Sequence, residues 1–119
     1  WLLLMESALT EKRSKMNNEA IETIANTYGF SKQSRQLIEE MAELTVAINK
    51  YYRECDKSSF SPKEWSNIQH CVSNITEEIA DVEICISQLK YLLCIKDTDI
   101  EQIIEQKLNR QLERINKEN

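Results

Sequence analysis

Two short acidic runs, Glu39-Glu40-Met41-Ala42-Glu43 and Glu77-Glu78-Ile79-Ala80-Asp81, lie inside strongly patterned helical segments. At roughly 100° per residue, Glu39, Glu40 and Glu43 share one side of a helix, with Glu40 beside Leu37 and Leu44 at the edge of the apolar stripe. In the second run, Cys71 and Cys85, seven residues before and seven after Glu78, widen the apolar face toward it, and Asp81 follows one turn later. A carboxylate drawn into an apolar face is costly unless it protonates, pairs with Lys or Arg, or binds a metal. If the two helices pack antiparallel, four or five carboxylates meet, and an oxygen-only donor set selects a hard cation such as Mg²⁺ or Mn²⁺. The plainer alternative for the same spacing is a pair of solvated helix flanks.

The elements that must position these acids are helices. Asn17 or Asn18 can cap a first helix of about 18–28, with apolar Ala20, Ile21, Ile24, Ala25 and Tyr28, and Gly29 is placed to end it in the left-handed conformation. Ser31 then caps a helix of about 32–54 striped by Leu37, Met41, Leu44, Ile48 and Tyr51 or Tyr52. The pattern breaks over 56–60. Ser61-Pro62-Lys63-Glu64 restarts it with an N-cap, a proline at the first helical position and a capping-box glutamate, the sharpest boundary in the chain. From there Trp65, Ile68, Val72, Ile75, Ile79, Val82, Ile86, Leu89 and Leu93 step by three and four through a helix of about 30 residues, roughly 45 Å long. Thr98 and Glu101 form another capping box for a last helix of about 99–116 carrying Ile100, Ile103, Ile104, Leu108, Leu112 and Ile115.

The expected fold is therefore all-α: a bundle of four main helices in a single domain over 16–119, completed by oligomerisation as a homodimer or homotetramer. Residues 1–15 are set aside as disordered or foreign to the natural chain, with Met5 or Met16 as its start. One Gly and one Pro in 119 residues leave too few turn formers for a sheet of short strands. A net charge of −5 argues against a nucleic-acid partner, and no apolar run approaches the roughly 18 residues of a membrane span. A cytoplasmic location is expected. Cysteines 55, 71, 85 and 94 form no C-x-x-C pair, and His70 is the single histidine, which disfavours zinc and the paired Glu-x-x-His di-iron arrangement. The thiols fit small apolar side chains kept reduced, and His70 fits a surface position.

Glu39-Glu40-x-x-Glu43 followed by Glu78-x-x-Asp81 resembles the E-E-x-x-E and E-x-x-D motifs of MazG-type nucleoside triphosphate pyrophosphohydrolases, the all-α NTP pyrophosphatase superfamily. Tyr28-Gly29-Phe30, the Gln33 and Gln36 run, Ala42-Glu43-Leu44 and Ala80-Asp81-Val82 are also similar to the family's wording, so the resemblance extends over about 17–115. It implies Mg²⁺-dependent hydrolysis of a (d)NTP to the (d)NMP and pyrophosphate, a house-cleaning activity on the nucleotide pool. Glu40, Glu43, Glu78 and Asp81 would be the metal ligands, and Glu39 the group that orients the attacking water. The gap of 34 residues between Glu43 and Glu78 is longer than the family's usual one.

Carboxylates alone do not hold a triphosphate. Lys107, Arg110 and Arg114 form a basic stripe on the last helix, and the resemblance extends phosphate binding to Lys107 and Arg110; cations favoured by the dipole at a helix C-terminus are the alternative. Tyr28, Phe30 and Trp65 could stack on a base, although each fits a core or staple role better. Two other functions share these features: a non-catalytic helical interaction module with its seam along 65–93, and a phosphoribosyl-ATP pyrophosphatase-like activity.

Overall fold

The computed structural model describes residues 1–57 and 61–118, and they form three helices: α1 (Leu2–Cys55), α2 (Pro62–Leu92) and α3 (Asp97–Glu118). Among the described residues there is no strand. Ser58, Ser59 and Phe60, read from the sequence as part of the connecting loop, lie outside the described residues.

The expected first and second helices are one element, bent where the sequence placed their boundary. Gly29 takes φ 82° and ψ 172° inside α1, a conformation that only glycine adopts without strain, and the helix resumes on its far side. Three helices replace four because Gly29 alone leaves helical geometry and serves as a kink, with no separate loop. Residues 1–15 continue α1 in the N-terminal direction and are exposed throughout.

The boundary at Ser61 forms as its chemistry requires. The Ser61 hydroxyl accepts from the Glu64 backbone N–H at 3.5 Å, the Glu64 carboxylate accepts the Ser61 N–H, and Pro62 opens the helix. α2 ends through Cys94 at φ 56°, with Ile95 N–H returning to the Lys90 carbonyl at 2.9 Å. α3 begins two residues before the expected position, at Asp97. The Lys96 carbonyl accepts from the N–H groups of Asp99 and Ile100, so the chain has entered the helix before Thr98 could cap it.

Packing is confined to α1 against α2, which run antiparallel. Residues that rise in number along α1 meet residues that fall along α2: Asn26 Nδ2 donates to Tyr91 Oη at 2.9 Å, Gln33 Nε2 donates to Gln88 Oε1, and Glu40 meets Glu78. The buried apolar residues at this seam are Ala25, Leu37, Cys71 and Cys85, and Gln33 and Gln88 are buried with them. The face of α2 turned to α1 centres on Cys71, Glu78 and Cys85. Only four of the nine residues of the expected stripe, Ile68, Ile75, Val82 and Leu89, flank that face; Trp65, Val72, Ile79, Ile86 and Leu93 form a separate outward row, 40–56% exposed. Small side chains occupy the centre of the seam because two helices approach closely only where little volume intervenes. Tyr28, Phe30 and Trp65, expected in core or staple roles, are all exposed.

α3 packs on neither α1 nor α2, and one ion pair, Lys90 Nζ to Asp97 Oδ1 at 2.7 Å, fastens its start to the end of α2. Its row of Ile103, Ile104, Leu108, Leu112 and Ile115 is about half exposed at every position. Among the described residues no helix is long and apolar enough to cross a membrane.

Open space surrounds the point where a Gly29 side chain would sit, so a substitution there meets no neighbour and its cost is backbone strain alone. Gly29→Ala should destabilise the hairpin by about 1–3 kcal/mol in urea unfolding, with the m-value unchanged. A loss of less than the measurement error would show that α1 straightens without penalty.

Candidate metal centre

Glu40 is placed on the α2-facing side of α1 by the spacing of four, three and four that also buries Gln33 and Leu37 and half-buries Leu44. Glu78 and Asp81 come from α2, one turn apart, midway along the face marked by Cys71 and Cys85. One carboxylate oxygen each from Glu40, Glu78 and Asp81 lies within 4.8 Å of the other two. The antiparallel pairing thus brings together three of the four expected ligands.

The cluster is only partly neutralised by its surroundings. Gln36 Nε2 donates to Glu40 Oε1 at 2.7 Å, one turn back on the same helix. The second oxygen of Glu40 and Oε2 of Glu78 are both buried, and neither has a hydrogen-bond partner. Among the described residues the ion pairs are Lys57–Glu54 and Lys90–Asp97, and neither involves the cluster.

The electrostatic consequence falls on Glu78, whose pKa is raised from 4.5 to about 7. Desolvation is the largest cause; the neighbouring Glu40 side chain follows, and then the negative charges of Glu43, Glu40 and Asp81. Burial, with Glu40 and Asp81 adding to it, also pushes the Cys85 thiol up, so this cysteine stays protonated and is no nucleophile. Two buried acceptors without donors and an all-oxygen donor set fit a hard divalent cation. Glu40, Glu78 and Asp81 are the residues that could hold it.

Glu43 is exposed and does not join the three. It lines an adjoining groove of about 400 Å³ with Ala42, Val46, Lys50, Asn74, Glu77 and Glu78, close enough for its charge to act on Glu78. Glu39 is exposed on the other flank of α1, at the edge of a second groove that holds Tyr28, Lys32, Arg35 and Gln36. Lys107 and Arg110 share a small hollow with Gln111 and Arg114 on α3, which does not pack against the helices bearing the acids. His70 is exposed and borders a groove with Lys50, Glu54 and Asn74.

Sequence reasoning missed the support around the acids. Gln36 stands one turn before Glu40, and its spacing of four was the available signal. The Gln33–Gln88 pair had a signal on one side only: Gln88 continues the row Cys71, Glu78, Cys85, but nothing in the sequence pairs it with Gln33.

No family model, no curated protein and no solved structure matches this chain.

Protonation of Glu78 links stability to pH with a definite sign. Its folded pKa of about 7 lies above the ordinary 4.5, so its contribution is fully present below about 4.5 and is lost as the pH rises through about 7. The Tm of the metal-free protein should fall across that window, and Glu78→Gln should flatten the fall. Mg²⁺ should raise Tm more at pH 8 than at pH 5, because cation binding requires the deprotonated carboxylates. Scanning calorimetry with and without EDTA reads both, and a Tm indifferent to pH and to Mg²⁺ would remove the metal assignment.

Proposed function

We propose that this protein is a Mg²⁺-dependent nucleoside triphosphate pyrophosphohydrolase, with Mn²⁺ as the alternative metal. The observation that carries the proposal is the convergence of Glu40, Glu78 and Asp81 from two helices, with two buried oxygens left without donors. Structural carboxylates are normally paired or solvated; Asp81 is exposed and one oxygen of Glu40 accepts from Gln36, but the second oxygen of Glu40 and Oε2 of Glu78 are buried with no donor. The motif resemblance supplies the reaction: water bonds to the α-phosphorus of a (d)NTP, the α–β anhydride bond breaks, and (d)NMP and pyrophosphate leave.

When bound, Mg²⁺ supplies neutralising charge to phosphate oxygens and acidifies water. Glu40, Glu78 and Asp81 would hold it, and Glu43, in the adjoining groove, would be the fourth ligand that the motif resemblance assigns. Glu39, exposed next to Glu40 in the chain but on the other flank of α1, is the residue that the motif resemblance assigns to orient the attacking water and take its proton on a carboxylate oxygen. Lys107 and Arg110 can contribute only when α3 is brought to such a site, and its bare apolar row gives it a reason to dock on a neighbouring copy. We therefore propose a homodimer or homotetramer, acting in the cytoplasm on the nucleotide pool. A phosphoribosyl-ATP substrate would use the same acids.

One observation favours a different class. α3 with its uncovered row, and the outward row of α2, are what a non-catalytic helical interaction module would present. Metal separates the two readings, since a module is indifferent to Mg²⁺.

Pyrophosphate release from a panel of canonical and modified NTPs and dNTPs should depend on Mg²⁺ and cease with EDTA. Glu40→Gln and Asp81→Asn, which keep size and remove charge, should each lower kcat by at least about a hundredfold while leaving apo stability unchanged or higher, since repulsion in the cluster is relieved. Full activity in both variants would refute the ligand assignment. No release from any substrate, together with no thermal shift on Mg²⁺, would favour the module.

A further inference from the structure

Just before the acidic cluster, Lys32, Arg35 and Glu39 follow one another by three and four, which sets them in line along α1, and Tyr28 reaches them from the far side of the Gly29 kink. With Gln33 and Gln36 they line a groove of about 480 Å³, within the ~300–1,000 Å³ span of small-molecule sites. Arg35 and Glu39 are separated by about 6 Å along the helix axis at 1.5 Å per residue. The groove therefore runs from an aromatic ring, past two cations, to the edge of the carboxylates.

Its parts are held in place. The Lys32 ammonium lies over the Tyr28 ring, 5.8 Å from its centroid, an attraction that keeps the lysine in the groove. Gln33 is nine-tenths buried and anchored to Gln88 across the seam, which stiffens the groove floor. Gln36 links the groove to the cluster through its hydrogen bond to Glu40. Among the described residues neither Lys32 nor Arg35 forms an ion pair. In a chain of net charge −5, two cations without carboxylate partners, in a groove joined to Glu40 through Gln36, fit an anionic ligand.

We infer that this groove binds the polyphosphate chain of the substrate, with Lys32 and Arg35 as its phosphate-binding residues and Tyr28 as the positioning residue for Lys32. That the bound chain belongs to a nucleotide rests on the hydrolase proposal; that it is a polyphosphate rests on the groove. Arg35 offers a planar fork of donors to phosphate oxygens, and Lys32 offers a point charge one turn away. The cationic role is thus filled within the same chain, on the helix that bears Glu39 and Glu40, without α3.

The test is calorimetric titration of the full chain in Mg²⁺ with two probes, inorganic tripolyphosphate and α,β-methylene ATP, which lacks the cleavable bond. Lys32→Met and Arg35→Met should each weaken both probes by about tenfold or more, while Mg²⁺ affinity measured without phosphate stays within about twofold of the parent. Tyr28→Phe keeps the ring and should bind like the parent, whereas Tyr28→Leu should lose affinity severalfold. All three side chains are exposed, so the variants should fold, and an unchanged Tm checks this. Parent-like affinity in the Lys32→Met/Arg35→Met double variant overturns the inference, as does a parent that binds neither probe. A parent that binds only the nucleotide probe overturns the phosphate-chain assignment in favour of base recognition. A parent that binds both probes yet releases no pyrophosphate from any NTP refutes the hydrolase proposal and leaves the groove standing.

Discussion

Glu40 and Glu78 face one another across the seam between α1 and α2, and the character of this protein follows from what neutralises them. Nothing else in the described chain packs, so the carboxylates sit inside its main tertiary interface. In the metal-free state a raised pKa lets Glu78 retain a proton, and that is the least costly response available to a buried acid without a cation. A bound divalent ion would replace the proton and join the two helices through their acids. Stability and ligand binding are then two aspects of one interaction.

The remainder of the seam is built to hold that meeting in register. Two helices with purely apolar faces can slide by a turn at little cost, because one aliphatic contact resembles the next. Gln33 with Gln88 and Asn26 with Tyr91 are directional, and a shift of one turn would separate the partners and leave the buried glutamine amides unsatisfied. Cys71, Cys85 and Ala25 are buried in the same seam, and their small side chains leave room for these polar pairs to meet. The kink at Gly29 contributes to the same end by changing the course of α1 between Asn26 and Gln33.

A seam whose buried apolar residues are Ala25, Leu37, Cys71 and Cys85 removes little hydrocarbon from water. The outward row of α2 and the whole apolar row of α3 remain exposed, so most of the hydrophobic driving force encoded in the chain is unspent within one copy. This is the physical basis for proposing a homo-oligomer. It also explains why α3, amphipathic and well formed, has no fixed place against α1 and α2 beyond the Lys90–Asp97 pair.

The sequence by itself determined the local features. The Ser61 capping box, Pro62, the left-handed Gly29 and the helical periods are written in nearest neighbours, and each formed where the residues indicated. Glu40 at the edge of its apolar stripe and Glu78 within the apolar arc of α2 were legible from angular position on a helix, which follows from spacing; Asp81, one turn on, is exposed. Only the tertiary structure decided which of two apolar rows on α2 turns inward. Cys71, Glu78 and Cys85 took the centre of the seam because close helix approach selects small volume over hydrophobicity, and the bulkier row was left outside. It also decided that Glu43 stands beside the cluster, that Gln33 reaches Gln88, and that α3, with Lys107 and Arg110, packs on neither helix that bears the acids. These are pairings between residues far apart in sequence, and the relative rotation and register of two helices set them.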